Sequence, residues 1–418
     1  MTLLDDPTQL ESWELMLLRA THAMSLTRTQ YELIESRYGT LQKTLAVATN
    51  PLLADAHIFV QGSIGLRTAI KPSPRAKGAM ATVDADAVVW LPNAAGADAD
   101  DVLEELEARF EEARRVDEPI DQLRRGIRII YADEDPGFHI DITPARCAPG
   151  NRQALGVGAL QVPDRVEGWK ASSPRPYSSW LEETAALRIS LRGLKELGAQ
   201  RVVLAEASQD PLPQYDDYID GNPLRAAIKL LKRHRDEWAI SHRREDVRPI
   251  SAVITTLTAL SYRDLAASGR MSSMRPVEVI IELVDRMQDH IATGSQGYLV
   301  LNPLDAGENF AEKWNRPGGE GRAYYDAFIQ WHRAAREDVR LGLRDLGSDT
   351  AFREAFSRKF AVPETLITEV VRDLPGNWTR PGREAGLSRN KLSLTALSGG
   401  HAASAAAQEN VQPTGRLG

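Results

Sequence analysis

The chain has 418 residues, 42% of them hydrophobic and 26% charged, ordinary values for a globular protein with enough core for two domains. Its net charge of −7 and pI near 5.7 exclude long-range attraction to a nucleic-acid backbone as the main mode of binding, so strong nucleic-acid binding is not expected, although local basic clusters could hold phosphate. A single cysteine, Cys147, excludes an internal disulfide and a multi-cysteine zinc site; the N-terminus lacks a basic, apolar signal pattern and no run reaches the ~20 apolar residues of a bilayer span, so no membrane association and a cytoplasmic location are expected.

From Thr27 onward, Tyr31, Ile34, Tyr38, Leu41 and Leu45 alternate at three and four residues and predict an amphipathic helix. Thr27 and Gln30 supply a capping box, and Asn50-Pro51 ends the element. His57-Ile58-Phe59-Val60 reads as a short strand running into Gln61-Gly62-Ser63. Glycine lets a backbone approach a phosphate, and serine can donate both its hydroxyl and its N–H, so this stretch is a candidate phosphate cradle. Residues 71–78, KPSPRAKG, carry three cations in a stretch too rich in Pro and Gly for a regular element and are expected to form a loop.

Residues 83–90, VDADAVVW, are β-branched and aromatic enough for a strand, and its period of two puts Asp84 and Asp86 on one face. Residues 98–116 predict a helix with Val102, Leu106, Ala113 and Val116 inward. Residues 127–131 and 138–142 then predict a strand pair. In the second of these, FHIDI, the same alternation sends His139 and Asp141 to the face opposite Phe138, Ile140 and Ile142. Three carboxylates converging from two strands repel one another unless a cation neutralises them, and oxygen ligands suit magnesium, with manganese as a substitute. Cys147 has no partnering base nearby in sequence and reads as a structural thiol.

The order strand, Gly-Ser, Asp-x-Asp strand, Asp strand resembles the nucleotidyltransferase superfamily of DNA polymerase beta, and more narrowly the bacterial CD-NTases, relatives of cyclic GMP-AMP synthase and oligoadenylate synthase. The resemblance runs from about Thr27 to Pro375. It implies that Gly62 and Ser63, in the Gln61-Gly62-Ser63 stretch, hold a donor triphosphate and that Asp84, Asp86 and Asp141 hold two magnesium ions.

Residues 148–176 read as the crossover out of this lobe, and beyond them the chain turns helical: 177–197, 223–238, 249–262, 276–291 and 321–346, the last with Tyr325, Phe328 and Trp331 spaced for a core. In LRAAIKLLKRHR, Leu224, Ile228 and Leu231 make a buried stripe, while Arg225, Lys229 and Lys232 share another face. The resemblance implies that Lys232, with Lys229 as the substitute, reaches the donor phosphates, joined by Ser251 nineteen residues later. Asn302-Pro303, Glu308-Asn309-Phe310 and Trp314 also resemble a stretch of the family and are expected to pack at the lobe boundary.

The expected fold is therefore α+β: a polymerase beta-like nucleotidyltransferase lobe of mixed sheet and helices over residues 1–170, a C-terminal helical lobe over 171–375, a tail over 376–418, and an active site in the cleft between the lobes. The expected activity is a cyclic di- or trinucleotide synthase of antiphage (CBASS) signalling, with NTP substrates, ATP among them. A polymerase beta-like enzyme extending an RNA or DNA end and a catalytically idle nucleotide-binding sensor stand as alternatives. The Gly- and Ala-rich residues 398–418 end in Gly418, and the resemblance implies a ubiquitin-transfer-like partner that adenylates this glycine and joins it to another molecule.

Overall fold

The computed structural model describes residues 7–113, 118–131, 137–187, 208–213, 215, 222–295 and 297–374. The expected tail, the last turns of the expected 177–197 helix and Val116 lie outside the described residues.

The chain opens with two helices, α1 (Pro7–Met24) and α2 (Arg28–Ala46). The second is capped as expected: the Thr27 hydroxyl accepts from the Gln30 N–H, while the Gln30 side chain accepts from the Thr27 N–H. The first is not among the elements expected from the sequence, although Leu10, Trp13, Leu17, Ala20 and Met24 recur at helical spacing and are buried.

There follow β1 (His57–Gln61), the one-turn α3 (Gly62–Gly65), β2 (Val83–Trp90), α4 (Ala99–Ala113), β3 (Ile120–Leu123), β4 (Gly126–Tyr131), β5 (Phe138–Cys147), β6 (Leu160–Asp164) and β7 (Gly168–Ser172). The remainder comprises α5 (Pro174–Ala186), β8 (Ser208–Gln209), α6 (Pro223–His242), α7 (Ser251–Ala267), α8 (Pro276–Arg286), two small hairpins (β9 Ala292–Gly294 with β10 Gly297–Leu299, β11 Leu301–Asn302 with β12 Asp305–Asn309), α9 (Glu320–Asp338), α10 (Asp349–Phe360) and α11 (Glu364–Asp373). Ala113, expected inward on α4, is exposed; Leu103 and Phe110 take the buried places because the apolar stripe of the helix drifts toward them.

One mixed sheet carries the strands in the order β3-β4-β5-β2-β1-β8, with β6 and β7 continuing from β5. Among the described residues only β2/β5 and β1/β8 pair in parallel, and the long β2/β5 ladder puts Asp86 opposite Asp141 and Asp84 opposite His139. The period of two separates the faces. Val83, Ala85, Ala87 and Val89 pack with Ile127, Ile140, Ile142 and the buried sides of α2 and α4. On the opposite face, β2 carries Asp84 and Asp86 at one end, while Val88 and Trp90 at the other bury against Phe59, Leu160 and Val162.

A second, helical core joins α1 and α5 to the elements from α6 onward. Trp13 sits in its middle, edge-on to Phe352 and Phe356, and donates its indole N–H to the Val339 carbonyl at 2.8 Å. Helix α1 thus precedes the sheet in sequence but packs with the helices, because its apolar stripe finds an aromatic partner surface only there. The architecture is α+β, a mixed sheet with helices followed by a helical lobe.

Candidate active site

A cleft runs between the polar end of the sheet face and the helical lobe. One cavity of about 600 Å³ is floored by Asp84, Asp86 and His139 and walled by Lys232, Arg235 and Arg248; a second of about 220 Å³ continues past Gly62 and Ser63 toward Tyr177 and Phe310. Gln61, Gly62, Ser63, Asp86, Lys232 and Ser251 all line the smaller cavity, and all but Gln61 also line the larger.

The turn after β1 is built for close approach. Gly62 has φ +60°, and a Cβ there would lie 1.8 Å from Oδ2 of Asp86. Only glycine lets the turn press against that carboxylate. Ser63 follows and donates its hydroxyl to the Asp84 carbonyl at 3.4 Å.

Each carboxylate has a different environment. The Asp84 side chain is 60% exposed, and one of its oxygens lies 2.9 Å from Nε2 of His139, whose Nδ1 is in turn 2.9 Å from the Thr82 hydroxyl. The enclosing cleft pushes the Asp84 carboxyl up, but the hydrogen bond and charge of His139, with Arg128 and Lys232 beyond, hold it below its ordinary value. Asp86 has no hydrogen-bond partner among the described residues. Burial, then the charges of Asp84 and Asp141, push it well above the usual carboxylate range. Asp141 is gripped by Arg128, which donates Nε to one oxygen at 2.6 Å and Nη2 to the other at 2.8 Å.

The donor set fits a divalent cation. Oxygens of Asp84 and Asp141 and a nitrogen of His139 lie within 4.8 Å of one another. Asp86, expected as a ligand, stands outside that tightest group, but its unpartnered acidic oxygens face the same cavity. Three carboxylates crowded together, one of them half-buried and without a hydrogen-bond partner among the described residues, are a donor set that a positive ion would match.

Lys232 is not on a solvated face. Helix α6 is buried almost all round, and the three cations of its polar stripe diverge: Arg225 reaches Glu182 at 2.5 Å, Lys229 lies 3.2 Å from the Ser25 hydroxyl, and Lys232 donates to the Thr68 carbonyl at 3.0 Å. Lys229 therefore points away from the cleft and Lys232 into it. Burial, then the neighbouring Arg235, lower the Lys232 ammonium to about 8, with Asp236, Asp84 and Asp86 opposing. Ser251, the first residue of α7, accepts from Arg235 at 3.1 Å. Of the three cations in the 71–78 loop, Arg75 is committed to Glu237 of α6 (Nε to Oε2, 2.7 Å), while Lys71 lines the larger cavity.

The 302–314 stretch packs at the lobe boundary and also borders the cleft. Glu308 accepts from Asn302 at 2.7 Å and from the Ser172 hydroxyl at 3.2 Å, Phe310 meets Tyr177 edge-on, and both Glu308 and Phe310 line the smaller cavity. Two site residues carry no role in the sequence reading. His139 shares the alternation that exposes Asp141. Arg128 is the one charged residue of GIRIIY, a mostly buried strand, which is the signal that it has a partner across the ladder.

Residues 18–184 match the family model described as SMODS, the Second Messenger Oligonucleotide or Dinucleotide Synthetase domain. The cyclic dinucleotide synthase CdnG of Bradyrhizobium diazoefficiens is 25% identical over 232 residues, 51% of this chain and 50% of that protein, so the chain matches about half the length of this curated relative. The solved structure of the CD-NTase CdnG from the same organism in complex with GTP superposes with a TM-score of 0.57 at 18% identity, over 88% of this chain and 99% of that one, which supports the shared fold. The Vibrio cholerae DncV cyclic AMP-GMP synthase in complex with nonhydrolyzable GTP gives a TM-score of 0.49 at 15% identity, over 86% and 88%. The match to the SMODS domain model thus covers the Gly-Ser turn, the aspartate strands and most of α5, and it is in this part that the chain is similar to a family of nucleotide second-messenger synthetases.

Proposed function

We propose that the chain is a cyclic oligonucleotide synthase that joins nucleoside triphosphates, ATP among them, into a cyclic di- or trinucleotide signal of antiphage defence in the cytoplasm. The observation that carries this reading is the convergence, on one cleft, of the aspartate pair, the Gly62-Ser63 turn and a buried Lys232 from the opposite lobe, with Asp141 beside Asp86 across the β2/β5 ladder.

Asp84, Asp86 and Asp141 are the proposed holders of two magnesium ions, with manganese as a substitute. Bound there, such ions supply Lewis-acid stabilisation of phosphate charge and lower the pKa of a coordinated hydroxyl. The Gly62-Ser63 backbone and the Ser63 hydroxyl hold the donor phosphates, and Gln61 borders the same pocket. Lys232 offers an ammonium to those phosphates from the α6 side, and Ser251 borders them from α7. An attacking ribose hydroxyl forms the new bond to the α-phosphorus while the bond to pyrophosphate breaks, and its proton passes to a carboxylate oxygen of Asp141. A second transfer, onto the product's own 5′-triphosphate, closes the ring. Tyr177, Phe310 and Leu66 give the smaller cavity apolar walls suited to a nucleobase.

The test is incubation of the protein with the four NTPs and magnesium, without primer, followed by phosphatase and mass spectrometry. A product with no terminal phosphate is expected. Nucleotide incorporation only when a primer end is added would overturn the reading in favour of end extension.

A further inference from the structure

The geometry points to Arg128 as a counterion that competes with metal: its guanidinium occupies the Asp141 carboxylate that a divalent cation needs, so the ion loads against Arg128. The inference rests on the metal-holding role proposed above for the aspartates.

The three carboxylates are not equally available. Asp86 has no partner among the described residues. Asp84 gives one oxygen to a single nitrogen of His139, which Thr82 fixes from behind, and the side chain stays largely open. Asp141 has both oxygens taken. Its register is the cause: the parallel ladder sets Asp86 on one side of it, and the antiparallel ladder sets Arg128 on the other. The guanidinium fork matches a carboxylate edge, and charge-assisted pairs of this kind are the strong ones. Both side chains are shielded, Arg128 at 24% and Asp141 at 17% exposure, so solvent screens the pair weakly.

An incoming cation therefore meets Asp86 and Asp84 first. To reach Asp141 it must either draw an oxygen away from Arg128 or settle beside a fixed positive charge, and both weaken its hold. In such an arrangement Arg128 keeps Asp141 neutralised and positioned in the metal-free protein, and sets the divalent concentration at which the third carboxylate is recruited.

The competing account is that Arg128 merely orients Asp141 as an outer partner. The two differ in sign. Losing an orienting partner typically weakens metal affinity by about 10–100-fold. Losing a competitor strengthens it, by roughly ten-fold if one hydrogen bond to a charged group is the scale.

The experiment is Mn²⁺ binding to the full chain without nucleotide, read by electron paramagnetic resonance, for the wild type, Arg128→Ala, Arg128→Gln, Arg128→Lys and Asp141→Asn, with circular dichroism to confirm folding. We expect Arg128→Ala and Arg128→Gln to bind Mn²⁺ about ten-fold more tightly, Arg128→Lys to fall between them and the wild type, and Asp141→Asn to weaken binding. Unchanged or weaker binding in the folded neutral variants overturns the inference. A wild type whose Mn²⁺ binding is unaffected by Asp141→Asn instead overturns the metal-holding role of Asp141, and the inference with it.

Discussion

The substitution Gly62→Ala isolates the turn that presses on the carboxylates. Its backbone cost is that of holding alanine at φ +60°, roughly 1–2 kcal/mol, because the left-handed region crowds Cβ against the following carbonyl. At about 2–4 °C per kcal/mol, as for domains of 150–250 residues, Tm should fall by only a few degrees. The local cost is larger. The new methyl would stand 1.8 Å from Asp86 Oδ2, well under the 3.0 Å that Cβ atoms respect, so the carboxylate must retreat by more than an ångström. A shift of that size in a reacting group costs on the order of a hundred-fold in rate. Gly65→Ala, three residues on, is the matched control, since its Cβ would meet the Val60 carbonyl at 3.3 Å, a tight contact that a shift of a few tenths of an ångström relieves. Mass-spectrometric product rates alongside thermal melts are the assay. Gly62→Ala turning over like Gly65→Ala, with Tm lowered as expected, would refute the claim that the turn sets the position of Asp86.

Asp84→Asn and Asp86→Asn should each abolish nucleotide transfer, since an amide is a poor magnesium ligand, while the circular dichroism spectrum stays as in the wild type; Asp86→Asn should not lower Tm, because it relieves the charge crowding that raises this carboxyl. Lys232→Ala should raise KM for NTP more than it lowers kcat, as befits a phosphate contact made in ground and transition states alike. Because the Lys232 ammonium is lowered to about 8, wild-type kcat/KM should decline as pH rises through that value, and Lys232→Ala should lack this limb of the profile. Asp164→Asn should destabilise the protein by about 1–3 kcal/mol at pH 7 in urea titrations, because the buried carboxylate accepts from Arg124 at 2.8 Å and Arg125 at 3.0 Å and from two backbone N–H groups. Burial opposes, but those bonds hold the Asp164 carboxyl well below its ordinary value. Its stabilisation is therefore present above about pH 4 and lost as pH falls toward the folded-state value, and the variant should show a shallower acid decline.

Local sequence determined the elements and which of their faces are polar. A period of two is enough to put Asp84 with Asp86 and His139 with Asp141, and a period of 3.6 is enough for α2 and its cap. The Gly-Ser turn was legible for the same reason, since a glycine before a short polar residue after a strand signals a backbone that must come close to something. What local periodicity leaves open is register and partner, because those depend on residues far apart in the chain. Only the β2/β5 and β4/β5 ladders decide that Asp141 lies between Asp86 and Arg128, and that His139 reaches Asp84. Only the packing of α6 decides that Lys229 turns toward Ser25 and Lys232 toward the cleft, three residues apart on one helix. Helix α1 carries a plain amphipathic stripe, yet its place among α6, α8 and α10 rather than on the sheet follows from where Trp13 finds a matching aromatic pocket. Polar periodicity is written residue by residue, whereas the pairing of charges across a cleft is set by the long-range burial that brings its walls together.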